Sequence, residues 1–112
     1  MLIKEVILME ELVKEILKFR DERDWKKFHT PSNLAKSITI EASELLENFQ
    51  WGAEYADIEN IKEELADIFI YGLLLSEYYN FNFEEIIREK LKKNRGKYPI
   101  SKAKGNAKKY NK

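Results

Sequence analysis

Apolar residues recur every three or four positions among charged ones along most of the chain, which is the spacing of amphipathic helices. Residues 3–27 predict a first surface helix with one buried stripe. The stripe consists of Ile7, Leu8, Leu12, Ile16 and Phe19. Thr30 is a good N-cap and Pro31 suits the first helical position. We therefore expect a second helix from there to about Trp51, with Gly52 as its stop.

The second helix places two acids next to its apolar face. Steps of 100° per residue gather one stripe, made of Leu34, Ile38, Ala42, Leu45 and Phe49. Glu41 lies about 20° outside the edge of this stripe, and Glu44 lies about 60° beyond Glu41. Glu41 thus leans toward the core, where a carboxylate needs a partner or a metal ion.

A third helix is predicted from about Ile58 to Tyr79, with Asp57 as its N-cap. From Ile68 onward this helix is apolar nearly all round, so we expect it to be central or to lie in a subunit interface. A narrow strip interrupts its apolar zones. The strip consists of Glu64, Asp67 and Tyr71.

Asn82 and Glu85 resemble a capping box, which opens a fourth helix that runs to about Asn94. No stretch alternates as a strand does. The sequence therefore predicts an all-α, four-helix bundle-like fold over residues 1–99. Residues 100–112 form a basic C-terminal tail that we expect to be mobile or ordered by substrate.

Composition narrows the function classes. At 112 residues the chain is one domain with a small core, so assembly into oligomers would help it. Its 20 basic and 20 acidic residues cancel, so the net charge provides no long-range electrostatic attraction for nucleic acid. There is no Cys, signal-peptide core or bilayer-length apolar run. We expect a cytoplasmic protein without nucleic-acid or membrane partners.

Four acids form two pairs with i, i+3 spacing on consecutive predicted helices: Glu41 with Glu44, and Glu64 with Asp67. Each pair lies on one helix face, so the four can converge between antiparallel helices. Single pairs of this kind usually face water. A converged cluster repels itself and calls for cations, and a set of carboxylates favours Mg²⁺, or Mn²⁺, over zinc or iron. Glu41, Glu64 and Asp67 are the firmest ligands because Glu44 lies on the more open side.

Several aromatic residues have two interpretations. Trp25, Trp51 and Tyr71 would by default pack in a core or interface, and alternatively they stack on a nucleobase. His29 is either a helix-end hydrogen-bonding group or part of the same pocket.

A basic strip near the end of the fourth helix also has two interpretations. It consists of Lys90, Asn94, Arg95 and Lys97. It is either solvated charge at a helix C-terminus or, if the acids hold Mg²⁺, the cationic side of a triphosphate site. From Arg88 onward eleven Lys or Arg stand against the single acid Glu89.

Four stretches, in order, carry a family resemblance: residues 22–34, 44–51, 64–71 and 90–99. They contain Arg-Asp-Trp, Phe-Gln-Trp and Asn-Arg-x-x-Tyr-Pro around the paired acids. The chain resembles the all-α nucleoside triphosphate pyrophosphohydrolases of the MazG-like group, and within it the dCTP pyrophosphatase type. Two features depart from the family pattern. Ile40 stands where many MazG domains carry an extra Glu before the first metal ligand, and the connection from Trp51 to Glu64 is shorter than in the vertebrate dCTP enzymes.

The resemblance implies roles for the residues named above and assembly as a homodimer or homotetramer. It implies that Glu41, Glu44, Glu64 and Asp67 ligate Mg²⁺, that Trp25, His29, Trp51 and Tyr71 shape the base and sugar pocket, and that Lys90 and Asn94 approach the phosphates.

The resulting hypothesis is Mg²⁺-dependent hydrolysis of a (deoxy)nucleoside triphosphate, dCTP-like, to the monophosphate and pyrophosphate in nucleotide pool cleaning. Glu41 or Glu44 would take the proton of the attacking water. Two alternatives stay open. One is a non-catalytic helical interaction module with an acidic body and a basic tail, and the other is a related pyrophosphohydrolase with a different nucleotide.

Overall fold

The computed structural model describes residues 2–107, with side chains from residue 9 onward. It contains five helices: α1 (Leu2–Glu22), α2 (Pro31–Glu47), α3 (Ile58–Tyr78), α4 (Phe83–Lys97) and α5 (Ile100–Ala103). Short 3₁₀ turns occupy Lys26–Phe28 and Ala53–Tyr55. No strand occurs in this range, so the prediction of an all-α fold is confirmed.

The described residues form two compact units, one ending at Asn80 and the other beginning at Phe81. In the first unit, α3 packs along α2 and more sparsely against α1. The second unit contains α4 and α5. The predicted division into residues 1–99 and a tail stays a prediction, and residues 108–112 of that tail lie outside the described range.

Predicted N-caps begin three of the helices. The Thr30 hydroxyl accepts the Asn33 N–H at 3.2 Å, directly before Pro31. The Asp57 carboxylate accepts the N–H groups of the second and third residues of α3. The Asn82 side chain accepts the Glu85 N–H at 2.9 Å. Each cap satisfies backbone N–H groups that the first turn of a helix leaves without partners.

The apolar pattern predicts that α1 ends at Lys27, which is five residues beyond its end in the structure. The helix ends at Glu22 because Asp24 adopts φ 54°, and the N–H groups of Arg23 and Trp25 both bond to the Arg20 carbonyl oxygen. The Arg23 guanidinium also donates to the carbonyl oxygen of the residue four positions before it, at 2.9 Å. A 3₁₀ turn then replaces the predicted last turn of helix.

The sequence likewise predicts too late an end for α2, at about Trp51, whereas the helix ends at Glu47. Asn48 ends the helix because its amide donates to the Leu45 carbonyl oxygen and, across the connection, to Asn60 Oδ1 at 2.8 Å. The chain then turns through Gly52, whose φ of +110° is a conformation that side chains with a Cβ rarely adopt.

The second unit departs from prediction at both of its helices. α4 runs three residues beyond the predicted end at Asn94. The predicted tail begins with one helical turn, α5, in which the N–H groups of Lys102 and Ala103 bond to the Pro99 carbonyl oxygen.

The buried core of the described residues is small. Three apolar side chains are buried: Leu34 on α2, and Leu73 and Leu74 on α3. The predicted buried stripes of α1 and α2 are wrong at several positions, which are instead exposed: Leu12, Phe19, Ala42 and Phe49. On α3, Ile58, Leu65 and Phe69 are exposed in the single chain. Within the described residues, no helix is both long enough and apolar enough to cross a bilayer.

Candidate functional site

The packing of α2 on α3 brings three carboxylates together. Glu41 on α2 and Glu64 and Asp67 on α3 each offer one oxygen, and these three oxygens lie within 4.8 Å of one another. We call these three residues the acidic cluster. The i, i+3 spacing on α3 presents Glu64 and Asp67 to the same side of the helix, where α2 supplies the third acid.

The acidic cluster disfavours full ionisation. The pKa of Glu41 is raised from 4.5 to about 8, first by hydrogen bonding to Glu64, then by burial, and then by hydrogen bonding to Glu44 and the charges of Glu44 and Glu64. Two carboxyl groups can share a hydrogen bond only when one of them is protonated. Glu64 Oε2 is buried and has no hydrogen-bond partner among the described residues. Such an oxygen needs a proton or a cation.

This chemistry fits a divalent metal. Converging carboxylate oxygens are the ligands that Mg²⁺ and Mn²⁺ prefer, and of the three carboxylates that of Glu64 is buried. A cation can replace the proton that hydrogen bonding to Glu64, burial and neighbouring charges otherwise retain on Glu41. The residues that would hold the ion are Glu41, Glu64 and Asp67. Glu44 lies close enough to affect Glu41 but is not part of the three-oxygen group.

A cavity of about 420 Å³ opens beside the acidic cluster, between α1, the turn after it and α3. Asp67 contributes to its wall together with Trp25, His29 and Tyr71. The structure therefore brings three of the four aromatic residues predicted for a base pocket to one cavity, next to a predicted metal ligand.

His29 lies between two aromatic rings, with its centroid 6.4 Å from those of both Trp25 and Tyr71 in edge-to-face contacts. Burial, and secondarily the charge of Arg20, lowers the pKa of His29, which favours a neutral imidazole. Its Nδ1 atom is buried and has no hydrogen-bond partner in the described part of the chain. The ring therefore has a polar atom available to a molecule in the cavity.

Tyr71 connects the cavity to the acids. Its pKa is raised, first by burial and then by the charges of Glu41, Asp67 and Glu44. The phenol therefore stays protonated and can donate a hydrogen bond near the carboxylates.

Trp51 lies elsewhere in the same unit. It lines a second cavity of about 300 Å³ together with Glu44 and Tyr55, and it is 76% exposed. Within one chain, then, Trp51 lies on the Glu44 side and does not line the cavity of the other three aromatic residues. Its predicted contact with a base stays a prediction.

The predicted basic strip belongs to α4 in the second unit: Lys90, Asn94, Arg95 and Lys97. The charge of Lys97, followed by burial and other contributions from Lys97 and Lys93, lowers the pKa of Lys90. Lys90 and Lys97 thus lie close to each other, as an anion-binding strip requires. Their approach to phosphates stays a prediction.

Arg20 is a cavity residue that the sequence reasoning missed. A signal was present, since Arg20 continues the i, i+4 series of Leu12 and Ile16 along the predicted buried stripe of α1. Asn48 and Asn60, which connect α2 to α3, were missed as well. Neither residue belongs to an apolar pattern or to an acidic pair.

Comparisons with known proteins agree with the resemblance. The sequence model of the MazG-like family matches residues 36–112. The dCTP pyrophosphatase 1 enzymes of Mus musculus and Homo sapiens are each 31% identical to the chain over 111 residues. These matches cover 91% of the chain, which spans 65% of the length of either enzyme.

A crystal structure of a pyrophosphatase from Archaeoglobus fulgidus is similar throughout most of its length. It is 44% identical, with a TM-score of 0.77, over 81% of this chain and 92% of that one. The predicted resemblance to the MazG-like group and its dCTP pyrophosphatase type is therefore confirmed.

The raised pKa of Glu41 predicts how the stability of the metal-free protein depends on pH. Between about pH 4.5 and about pH 8 the folded state binds more protons than the unfolded state, so the free energy of unfolding falls as the pH rises through this window. Urea unfolding in EDTA across this range measures the slope. Glu41→Gln should flatten the profile and Glu63→Gln, at an exposed neighbour of Glu64, should not. An equally steep profile for Glu41→Gln would contradict the assignment.

The acidic cluster also predicts stabilisation by Mg²⁺. At about 100 times its dissociation constant, an ion that binds the folded state alone adds about 2.7 kcal/mol to the free energy of unfolding. Thermal melts with and without Mg²⁺ should show this shift for the wild type and for Glu63→Gln. Glu64→Gln and Asp67→Asn should abolish it, and a shift retained in both variants would place the ion elsewhere.

Proposed function

The chain belongs to the MazG-like family, and we propose that it hydrolyses a nucleoside triphosphate, dCTP-like, to the nucleoside monophosphate and pyrophosphate in nucleotide pool cleaning. The observation that carries this proposal is the position of the acidic cluster at the wall of an aromatic cavity, through Asp67. The acidic cluster suits a metal ion with bound phosphates, and the aromatic cavity suits a planar base. The similar mouse and human proteins are dCTP pyrophosphatases, which supports this reaction, and the similar archaeal protein is a pyrophosphatase.

Each group in the site has a role in the proposed reaction. Glu41, Glu64 and Asp67 would hold Mg²⁺, with Glu44 completing the set. When bound, this ion would neutralise phosphate charge and lower the pKa of a bound water. One of the α2 glutamates, Glu41 or Glu44, takes the proton of the water that attacks the α-phosphorus. The bond from that phosphorus to the bridging oxygen breaks, and pyrophosphate leaves.

The remaining groups position the substrate. Trp25, His29 and Tyr71 form the walls against which a base and sugar pack. Trp51 contributes from the side of Glu44. The basic strip of α4 is the proposed phosphate-binding element of the second unit, because guanidinium and ammonium groups bind phosphate oxygens with charge-assisted hydrogen bonds. This strip consists of Lys90, Asn94, Arg95 and Lys97.

We also propose that the chain works as a homodimer or homotetramer. Large apolar side chains on α3, including Leu65 at 44% and Phe69 at 55% exposure, are left uncovered in one chain. Exposed apolar patches of this kind mark interaction sites, and a second copy would cover them.

Turnover assays test the reaction. With Mg²⁺ and each common nucleoside triphosphate in turn, at least one substrate should give the monophosphate and pyrophosphate in equal amounts. Glu41→Gln should lower kcat/KM about 100-fold or more, since it removes a metal ligand and a proton acceptor, whereas Glu63→Gln should not. Release of orthophosphate, or no turnover with any nucleotide, would contradict the proposal and favour a non-catalytic module.

Sedimentation analysis tests the assembly. The wild type should sediment as a multiple of the 13.4 kDa chain at micromolar concentration, and Phe69→Glu should shift it toward the monomer because it places a charge in an apolar interface. Glu63→Gln should leave the mass unchanged. A wild-type mass of one chain would contradict the proposal.

A further inference from the structure

Arg20 is an unusual member of the cavity wall because it brings a permanent charge into aromatic surroundings. It lies in the last turn of α1 and lines the cavity together with Trp25 and His29. Its side chain is 13% exposed. A guanidinium withdrawn from water to this extent needs hydrogen-bond acceptors to replace the water that it has lost.

The side chain of Arg20 has one hydrogen-bond acceptor among the described residues. Its Nε donates to Asp21 Oδ1 at 2.8 Å, and the hydrogen bond lowers the pKa of Asp21. Its carbonyl oxygen accepts the Trp25 N–H at 3.1 Å, which connects the arginine to the aromatic wall. The ion pair that the structure describes for Arg20 is the one with Asp21. Within the described part of the chain, the terminal Nη1 and Nη2 atoms have no hydrogen-bonded acceptor, so this edge is available to another one.

The chemistry of that edge restricts its ligand. The terminal edge of a guanidinium presents two parallel N–H donors and no acceptor, and it matches a planar group with two adjacent acceptors. Cytosine offers O2 and N3, and guanine offers O6 and N7. Thymine and uracil place an N3–H donor beside their carbonyl oxygen, and adenine places its amino group beside N7 or N1. In these three bases a donor would face a donor.

The contents of the cavity favour a base over a phosphate as the ligand of Arg20. Its wall carries the rings of Trp25, His29 and Tyr71, whereas the carboxylate of Asp67 belongs to the acidic cluster. Phosphates therefore belong with the metal at the acidic cluster, and a stacked base belongs with the rings. Glu15 also lines the cavity and can accept from an exocyclic amino group, which cytosine and guanine both carry.

We propose that Arg20 is a specificity-determining residue of this cavity and selects nucleobases with two adjacent acceptors, cytosine and guanine, over thymine, uracil and adenine. This inference rests on the proposed function, which supplies the substrate class. It adds that Arg20 selects the base, through the terminal edge of its guanidinium. A bidentate arginine contact discriminates between bases by about 10- to 100-fold.

Kinetics with four nucleotides test this selection. The wild type should hydrolyse dCTP and dGTP with kcat/KM at least about tenfold above that for dTTP and dATP. Arg20→Met should bring these ratios close to one, and Arg20→Lys should do the same because it keeps the charge and loses the planar pair of donors. Lys18→Met, which removes a charge from an exposed position on α1, should keep the wild-type ratios. Unchanged ratios in both Arg20 variants would overturn the inference and leave the reaction intact.

Binding without turnover separates this inference from the proposed reaction. Calorimetric titration of the metal-free protein with dCMP, dGMP, dTMP, dAMP and inorganic phosphate should show selective binding of the first two, lost in Arg20→Met and kept in Lys18→Met. Circular dichroism confirms that the variants fold. Binding of phosphate alone that requires Arg20, or equal binding of all four nucleotides by the wild type, would overturn the inference even if turnover is observed.

Discussion

Mutual repulsion among carboxylates is the constraint on which the first unit of this protein depends. Glu41, Glu64 and Asp67 offer oxygens within 4.8 Å of one another, and hydrogen bonding to Glu64, burial and the neighbouring acidic charges leave Glu41 with a pKa of about 8. A fold selected for stability alone would separate these groups. Their convergence therefore costs stability, and a cation bound between α2 and α3 can offset that cost.

Local hydrogen bonds set the register that makes the acids converge. Asn48, after the last turn of α2, donates to Asn60 Oδ1 in the first turn of α3 and accepts the Asp57 N–H. One amide thus fixes the end of α2 against the beginning of α3. Glu41 precedes Asn48 by about two turns, and Glu64 follows Asn60 by one, so the same contact fixes where the two acids meet.

The sequence predicts well what depends on neighbouring residues and poorly what depends on distant ones. Caps at Thr30, Asp57 and Asn82 act within one turn, and all three helices begin as predicted. The end of α2 depends on Asn48 reaching a residue twelve positions away. The paired acids could be found by their spacing, because helical periodicity fixes which side chains share a face. Arg20 is harder to place, since its i, i+4 spacing puts it on the apolar stripe of α1 but nothing local indicates that this stripe faces a cavity formed with α3.

The small core and the acidic cluster point to the same conclusion about stability. With Leu34, Leu73 and Leu74 as the buried apolar side chains of the described residues, the margin that offsets carboxylate repulsion is narrow. A cation in the cluster, a base in the aromatic cavity and a second copy over the exposed face of α3 would each bind the folded state and stabilise it by mass action. On the proposed function, the cation, the base and the second copy are all parts of the working enzyme. The contacts that add to the free energy of unfolding are therefore the same contacts that assemble the active enzyme.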